Sequence, residues 1–204
     1  MIKTIFWDFD GVILDSMKIK GDGFVELFKE YDIKYRDEIE RYHYEHGGVS
    51  RFDKIRYFYE HIIDKNISKE EILALADEFA DIISKRLFNE ENLIGETIDF
   101  IKGNHQKYNF HIVSGAEHNE LNSLCRGFSI DKYFRSIDGS PTKKAILVEN
   151  ILNQYNYKPE ESILIGDAFT DYDAAQKNKI GFYGYNNPEL KEFNYIENFV
   201  GFSV

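Results

Sequence analysis

The sequence predicts an α/β fold: a doubly wound parallel sheet with an α-helical domain inserted after its first strand. Three observations carry this. Residues 2–7 are a short apolar run of β type that stops at Asp8-Phe9-Asp10-Gly11, a strand ending in acidic and glycine residues. From about residue 17 to 88 the apolar residues recur at helical spacing. From about residue 93 short apolar runs alternate with helical segments, the pattern of right-handed crossovers between parallel strands.

Within the helical block, Phe24, Leu27, Phe28 and Tyr31 share one stripe. Phe52, Ile55, Tyr59 and Ile62 form a second, and Ile72, Leu75, Phe79, Ile82 and Ile83 a third. Ser68-Lys69-Glu70-Glu71 is a capping-box sequence opening the last helix. His46-Gly47-Gly48-Val49-Ser50 interrupts the block with a flexible turn. Beyond it, the strand expected over 110–113 ends at Ser114-Gly115, and that over 162–165 at Gly166-Asp167. A further strand is expected over 181–185, with helices over 97–102, 119–126, 143–155 and 171–178. Residues 193–202 finish the core as a last strand or loop. The sequence has no internal repeat and no low-complexity tract.

A chain of 204 residues suits one domain, or a core domain with one insert. With 43% hydrophobic residues it is no disordered chain. Lys plus Arg number 25 against 36 Asp plus Glu, a formal net charge of −11, which disfavours nucleic-acid or anionic-membrane partners. Cys125 stands alone, so neither an intrachain disulfide nor a cysteine zinc site can form. The amino terminus has no signal-peptide layout, and no stretch approaches the roughly 18 apolar residues of a membrane span. The expectation is a soluble, cytoplasmic protein, a monomer or weak dimer.

In a doubly wound parallel sheet, ligands bind at the carboxyl ends of the strands. Asp8 and Asp10, Ser114 and Asp167 all follow expected strands and so can converge on one cleft. Singly, an Asp after a strand is a common turn former and Ser-Gly a common loop. Together they occur in a fixed order: Asp-x-Asp-Gly, Ser-Gly, a downstream Lys, then Gly-Asp-x-x-x-Asp.

With these motifs the chain resembles the haloacid dehalogenase superfamily over essentially its whole length. Asp8-Phe9-Asp10-Gly11-Val12-Ile13-Leu14-Asp15-Ser16 is similar to that family's first motif, and Val113-Ser114-Gly115 to its second. Gly166-Asp167-Ala168-Phe169-Thr170-Asp171 is similar to the fourth. For the third, Gly139-Ser140-Pro141-Thr142-Lys143-Lys144 supplies two lysines; Lys144 fits the Gly-Ser-Pro-x-x-Lys form, and Lys143 stands beside it. The resemblance implies a Rossmann-like core over residues 1–15 and 93–204 and a helical cap over 16–92. It implies Asp8 as a nucleophile that forms an aspartyl-phosphate and Asp10 as general acid and base. Ser114, with backbone groups near Gly115, would hold phosphate oxygens, and Lys144 would offset charge on Asp8. Mg²⁺ would be held by Asp8, Asp167 and the backbone carbonyl of Asp10, with Asp171 behind them or bound through water.

Within the superfamily, the dehalogenase branch lacks an acid at the position of Asp10, because a halide leaves unprotonated; Asp10 therefore points to phosphoryl chemistry. Gly47-Gly48-Val49-Ser50-Arg51 is similar to the cap specificity loop of the β-phosphoglucomutases, with Gly48 against the substrate and Arg51 binding an anionic group on it. Plain turn chemistry capped by Ser50 accounts for the same residues. His46 is expected at the same opening or in solvent. Those mutases pair the second aspartate with a hinge His where this chain has Lys20, a departure that favours water as acceptor. Phosphonatases use a cap Lys as a Schiff-base amine, but nothing in the sequence marks Lys20 or Lys54 as other than solvated. His43, His61, His105, His111 and His118 have no metal spacing and read as structural or solvated. The expectation is a Mg²⁺-dependent phosphatase of a small phosphorylated metabolite (a sugar, polyol or amino-alcohol phosphate). The alternatives are a phosphosugar mutase and a noncatalytic phosphate-binding protein.

Overall fold

The computed structural model describes residues 1–204. Six strands, Thr4–Trp7 (β1), Asn109–Glu117 (β2), Ser136–Ser140 (β3), Ser162–Gly166 (β4), Gly181–Tyr185 (β5) and Tyr195–Ile196 (β6), pair in parallel in the order β3-β2-β1-β4-β5-β6. Every residue of β1 is buried, as a strand covered on both faces must be, and hence its unbroken apolar run. Successive side chains point to opposite faces. Trp7 packs with Phe100, Phe110 and Phe199, while Phe6 joins Val113, Val148 and Leu164 in a separate cluster.

Each face has its own helices. Gly95–Asn104 (α5) and His118–Gly127 (α6) cover the Trp7 face, and Lys144–Tyr155 (α7) and Phe169–Lys177 (α8) the Phe6 face. The remaining four helices are inserted between β1 and α5: Met17–Leu27 (α1), Ile33–Glu45 (α2), Arg51–Tyr57 (α3), which runs on as a π-turn over Phe58–Ile62, and Lys69–Leu87 (α4). Helix α1 packs on α2 and α4, and α3 on α4. Phe28 stacks on Phe58, and Phe24 packs tilted against Phe79. The Ser68–Glu71 capping box is formed, each residue's side chain accepting from the other's backbone N–H. The chain leaves the sheet and returns side by side: Leu14 bridges Leu93, Asp15 N–H donates to the Asn92 carbonyl at 2.7 Å, and Ile94 N–H donates to the Ile13 carbonyl at 2.9 Å. No helix is long and apolar enough to cross a membrane.

The structure departs from the sequence expectation in two places, and elsewhere the tail takes the strand and loop expected of it. Strand β2 runs through Ser114-Gly115 to Glu117 rather than ending before them. The strand β3 was not expected, because Ser136-Ile137-Asp138-Gly139-Ser140 is turn chemistry by composition; it is an edge strand, held by pairing with β2 alone. The tail expected as a strand or loop forms the two-residue β6 and then sends Phe199 and Phe202 back over Phe100.

Candidate active site

Register decides what meets at the carboxyl edge. Trp7 lies opposite Ile112 of β2 and Ile165 of β4, so the next residues of all three strands reach the edge together. Asp8 extends the ladder by one bond, its N–H donating to the Ile165 carbonyl at 2.9 Å. Beyond β4 the chain turns through Asp167 into α8, whose first turn carries Asp171. The carboxylates of Asp8, Asp167 and Asp171 offer oxygens that all lie within 4.8 Å of one another.

One cation stands among them. Lys144, in the first turn of α7, places Nζ 2.9 Å from Asp8 Oδ1 and also donates to Asp171 Oδ1. Asp171 Oδ2 accepts from the Ala168 N–H, and Asp8 Oδ1 from the Phe9 N–H. Gly11 adopts φ +73°, and a Cβ there would lie 2.0 Å from Asp167 Oδ2; only glycine lets Asp167 come so near the first loop. Side-chain amides tie that loop down, Asn186 donating to the Gly11 carbonyl and Asn187 to the Asp167 carbonyl.

Three carboxylates against one ammonium leave a surplus of buried negative charge. Burial, reinforced by Asp171, pushes the Asp8 carboxyl up to about 7 despite Lys144. Burial, with Asp8 and Asp171, also holds Asp167 well above the usual carboxylate range. Burial works against the Lys144 ammonium, but Asp171 and Asp8 outweigh it and raise its pKa. An all-oxygen donor set with uncompensated charge is what a hard divalent cation requires, so the cluster could hold a metal.

Asp10 faces the same cleft but is held differently. Its carboxylate accepts from Ser16 Oγ and from Lys20 Nζ, each at 2.5 Å. Burial pushes this carboxyl up, but Lys20 and Ser16 prevail and hold it below the usual range. Ser114 is buried within β2, where its hydroxyl accepts from the Ala116 N–H at 3.1 Å. Lys143 is exposed at the N-cap of α7, while Lys144 is buried.

The helical block closes over this edge. A narrow cleft of about 20 Å³ runs from Asp8 and Asp10 to Lys20, His43 and Lys54 of the block. At its rim Gly48 touches the sheet domain directly. A Cβ on Gly48 would lie 1.9 Å from Thr170 Oγ1, and one on Gly115 would lie 2.5 Å from the Gly48 carbonyl oxygen. Arg51 lines the cleft and pairs with Glu120 of α6 across the same boundary, the Arg51 side chain buried and that of Glu120 half-buried. His46 lies elsewhere, stacked on Tyr42 beside a separate groove with Glu45 and Phe169.

Lys20 and Lys54, expected in solvent, are both buried, and this corrects the sequence reading. Lys54 Nζ lies 2.9 Å from His43 Nδ1, and burial, then Lys20, lower the amine to about 7. The missed signal is spacing. Arg51, Lys54, Ile55 and Phe58 stand at i, i+3, i+4 and i+7, so a lysine occupies the inward stripe of α3. Glu120 carries no such signal; it lies on the polar first turn of α6.

A Rossmann-like parallel sheet with an acidic cluster at its carboxyl edge, where ligands bind in such sheets, defines the class of α/β protein. The family of haloacid dehalogenase-like hydrolases matches residues 5–185, and the chain belongs to it. No curated protein matches the sequence. Among solved structures, β-phosphoglucomutase from Clostridium difficile superposes with a TM-score of 0.79 at 19% identity, covering 100% of this chain and 94% of that one. A predicted phosphoglycolate phosphatase from Haemophilus somnus gives 0.73 at 14% identity, covering 97% and 95%. The magnesium-bound hydrolase YfnB from Bacillus subtilis gives 0.67 at 16% identity, covering 98% and 96%.

Proposed function

We propose that the protein is a Mg²⁺-dependent phosphomonoesterase of small metabolites, with residues 16–92 as a cap over a core of residues 1–15 and 93–204. The observation that carries this is the meeting of Asp8, Asp167 and Asp171 around Lys144 in a member of a hydrolase family. In this reading Asp8, Asp167 and the Asp10 backbone carbonyl hold Mg²⁺, with Asp171 behind them. The bound cation supplies charge neutralisation for a phosphate that three carboxylates would otherwise repel.

The chain's residues do the rest. An Asp8 carboxylate oxygen attacks phosphorus as the ester P–O bond breaks, giving an aspartyl-phosphate and an alcohol protonated from Asp10. Asp10 then takes a proton from water as that water attacks phosphorus, which releases inorganic phosphate and restores Asp8. Lys144 holds Asp8 in place and offsets charge on the phosphoryl group; Ser114 and the backbone at Gly115 receive its oxygens. Gly48 and Arg51 form the rim of the cap against the substrate.

The test is Mg²⁺-dependent phosphate release from p-nitrophenyl phosphate and a broad panel of metabolite phosphates. Activity lost with chelator and in Asp8→Asn is expected. No turnover on any phosphate refutes the reading, and isomerised sugar phosphate after priming with a bisphosphate would show a mutase.

A further inference from the structure

The cations of the cleft are not equally matched. Lys20 has Asp10, Arg51 has Glu120, and Lys144 has Asp8 and Asp171. Lys54 has no carboxylate partner although its side chain is fully buried. Its Nζ donates to His43 Nδ1 at 2.9 Å and to the His43 carbonyl at 3.3 Å.

The ring can only accept from it. His43 Nε2 lies 2.9 Å from the Met17 carbonyl, which needs a donor, so the proton sits on Nε2 and Nδ1 presents a lone pair. Burial and then Lys54 push the His43 pKa down to about 3, which keeps the ring neutral. An ammonium has three N–H groups. His43 takes two, and the third has no partner in the chain. The Phe24 ring lies 5.9 Å from Nζ and offers no conventional hydrogen bond, while Asp10 and Asp167 act on the amine only from a distance.

Without an anion beside it the buried amine is held down at about 7, and a charged acceptor arriving there favours the ammonium. The same cleft opens onto Asp8, so an acceptor there belongs to a molecule whose other end reaches the nucleophile. We infer that Lys54 is a specificity-determining residue that binds a second anionic group, a carboxylate or second phosphate, on the non-transferred part of a small phosphomonoester. The inference rests on the phosphomonoesterase reading and adds the substrate class. Arg51 is already committed to Glu120, so the tail's charge falls to Lys54.

Matched substrates test it through kcat/KM for phosphate release with Mg²⁺. Phosphoglycolate is set against 2-hydroxyethyl phosphate for the carboxylate, and propane-1,3-diyl bisphosphate against 3-hydroxypropyl phosphate for the second phosphate. The wild type is expected to favour the anionic member of at least one pair by about tenfold or more, a difference of about 1.4 kcal/mol. The favoured pair identifies the anion. Lys54→Met is expected to bring that ratio to within about threefold of unity, the anionic member of the pair losing the most. A merely structural Lys54 would lower all substrates together and leave the ratio intact, which overturns the inference. Equal rates within both pairs in the wild type overturn it as well, whether or not Lys54→Met folds. Absence of hydrolysis of every phosphate fails the phosphomonoesterase reading itself, and with it the inference; turnover without anion preference fails the inference alone.

Discussion

Gly48→Ala tests whether the closed contact between the helical block and the sheet is the working arrangement. The added methyl would lie 1.9 Å from Thr170 Oγ1 and 3.2 Å from Thr170 Cβ. Carbon contacts settle near about 3.5 Å, so the loop must withdraw by roughly 1.5 Å. Thr170 cannot simply give way, because its branched side chain is stiff at χ1 and its hydroxyl is buried. The same loop carries the carbonyl that touches Gly115, and Arg51 follows three residues later, so the withdrawal loosens the whole rim. A misplacement near 1 Å costs about 10²-fold in an oriented reaction. Gly48→Ala is therefore expected to lower kcat/KM on p-nitrophenyl phosphate by about that factor, with thermal stability changed by no more than about 0.5 kcal/mol for a loop position outside the core. Thr170→Ala added to Gly48→Ala removes the closest clash and is expected to restore activity to within about fivefold, a coupling that a double-mutant cycle reads directly. Unchanged kcat/KM in Gly48→Ala, or a loss that Thr170→Ala does not relieve, would refute the assignment of this contact to the working state.

Other outcomes follow from the charges. Asp8 and Asp167 have raised pKa values in the metal-free fold, so they hold protons there that the unfolded chain sheds; metal-free stability then falls as pH rises from about 4 to about 7. If the cluster binds Mg²⁺ as proposed, the ion displaces those protons, and the gain in Tm on adding it is expected to be larger at pH 8 than at pH 5.5; equal gains would contradict the shifts. Lys144→Met strands Asp8 and Asp171 without their cation, and about 3–5 kcal/mol of stability is at stake. Thermal melting should show the loss at pH 8 and a smaller one at pH 5.5, where Asp8 is neutral; a loss independent of pH would point to packing instead. Asp10→Asn is expected to give a burst of one equivalent of p-nitrophenolate and then stall, since an aryl oxide leaves unprotonated but water still needs a base. Steady turnover at the wild-type rate would remove Asp10 from the mechanism.

Much of this architecture is legible in the sequence because it rests on local rules. The apolar run before Asp8, the stripes of the helical block and the Ser68–Glu71 cap each state their structure within a few residues. Ordered motifs placed Asp8, Asp10, Asp167, Asp171 and Lys144 as candidates before any geometry. Strand β3 escaped because pairing with β2, and not its own composition, makes it a strand.

The sequence by itself determined the alternation of strand and helix, the insertion after β1 and the acids at the strand ends, since periodicity and turn chemistry are properties of neighbouring residues. Tertiary structure alone decided which charge meets which. Lys20 finds Asp10, Arg51 finds Glu120 from 69 positions away, and Lys54 is left with a neutral histidine. Pairing and desolvation depend on where separate elements pack, and no short window of sequence contains that distance.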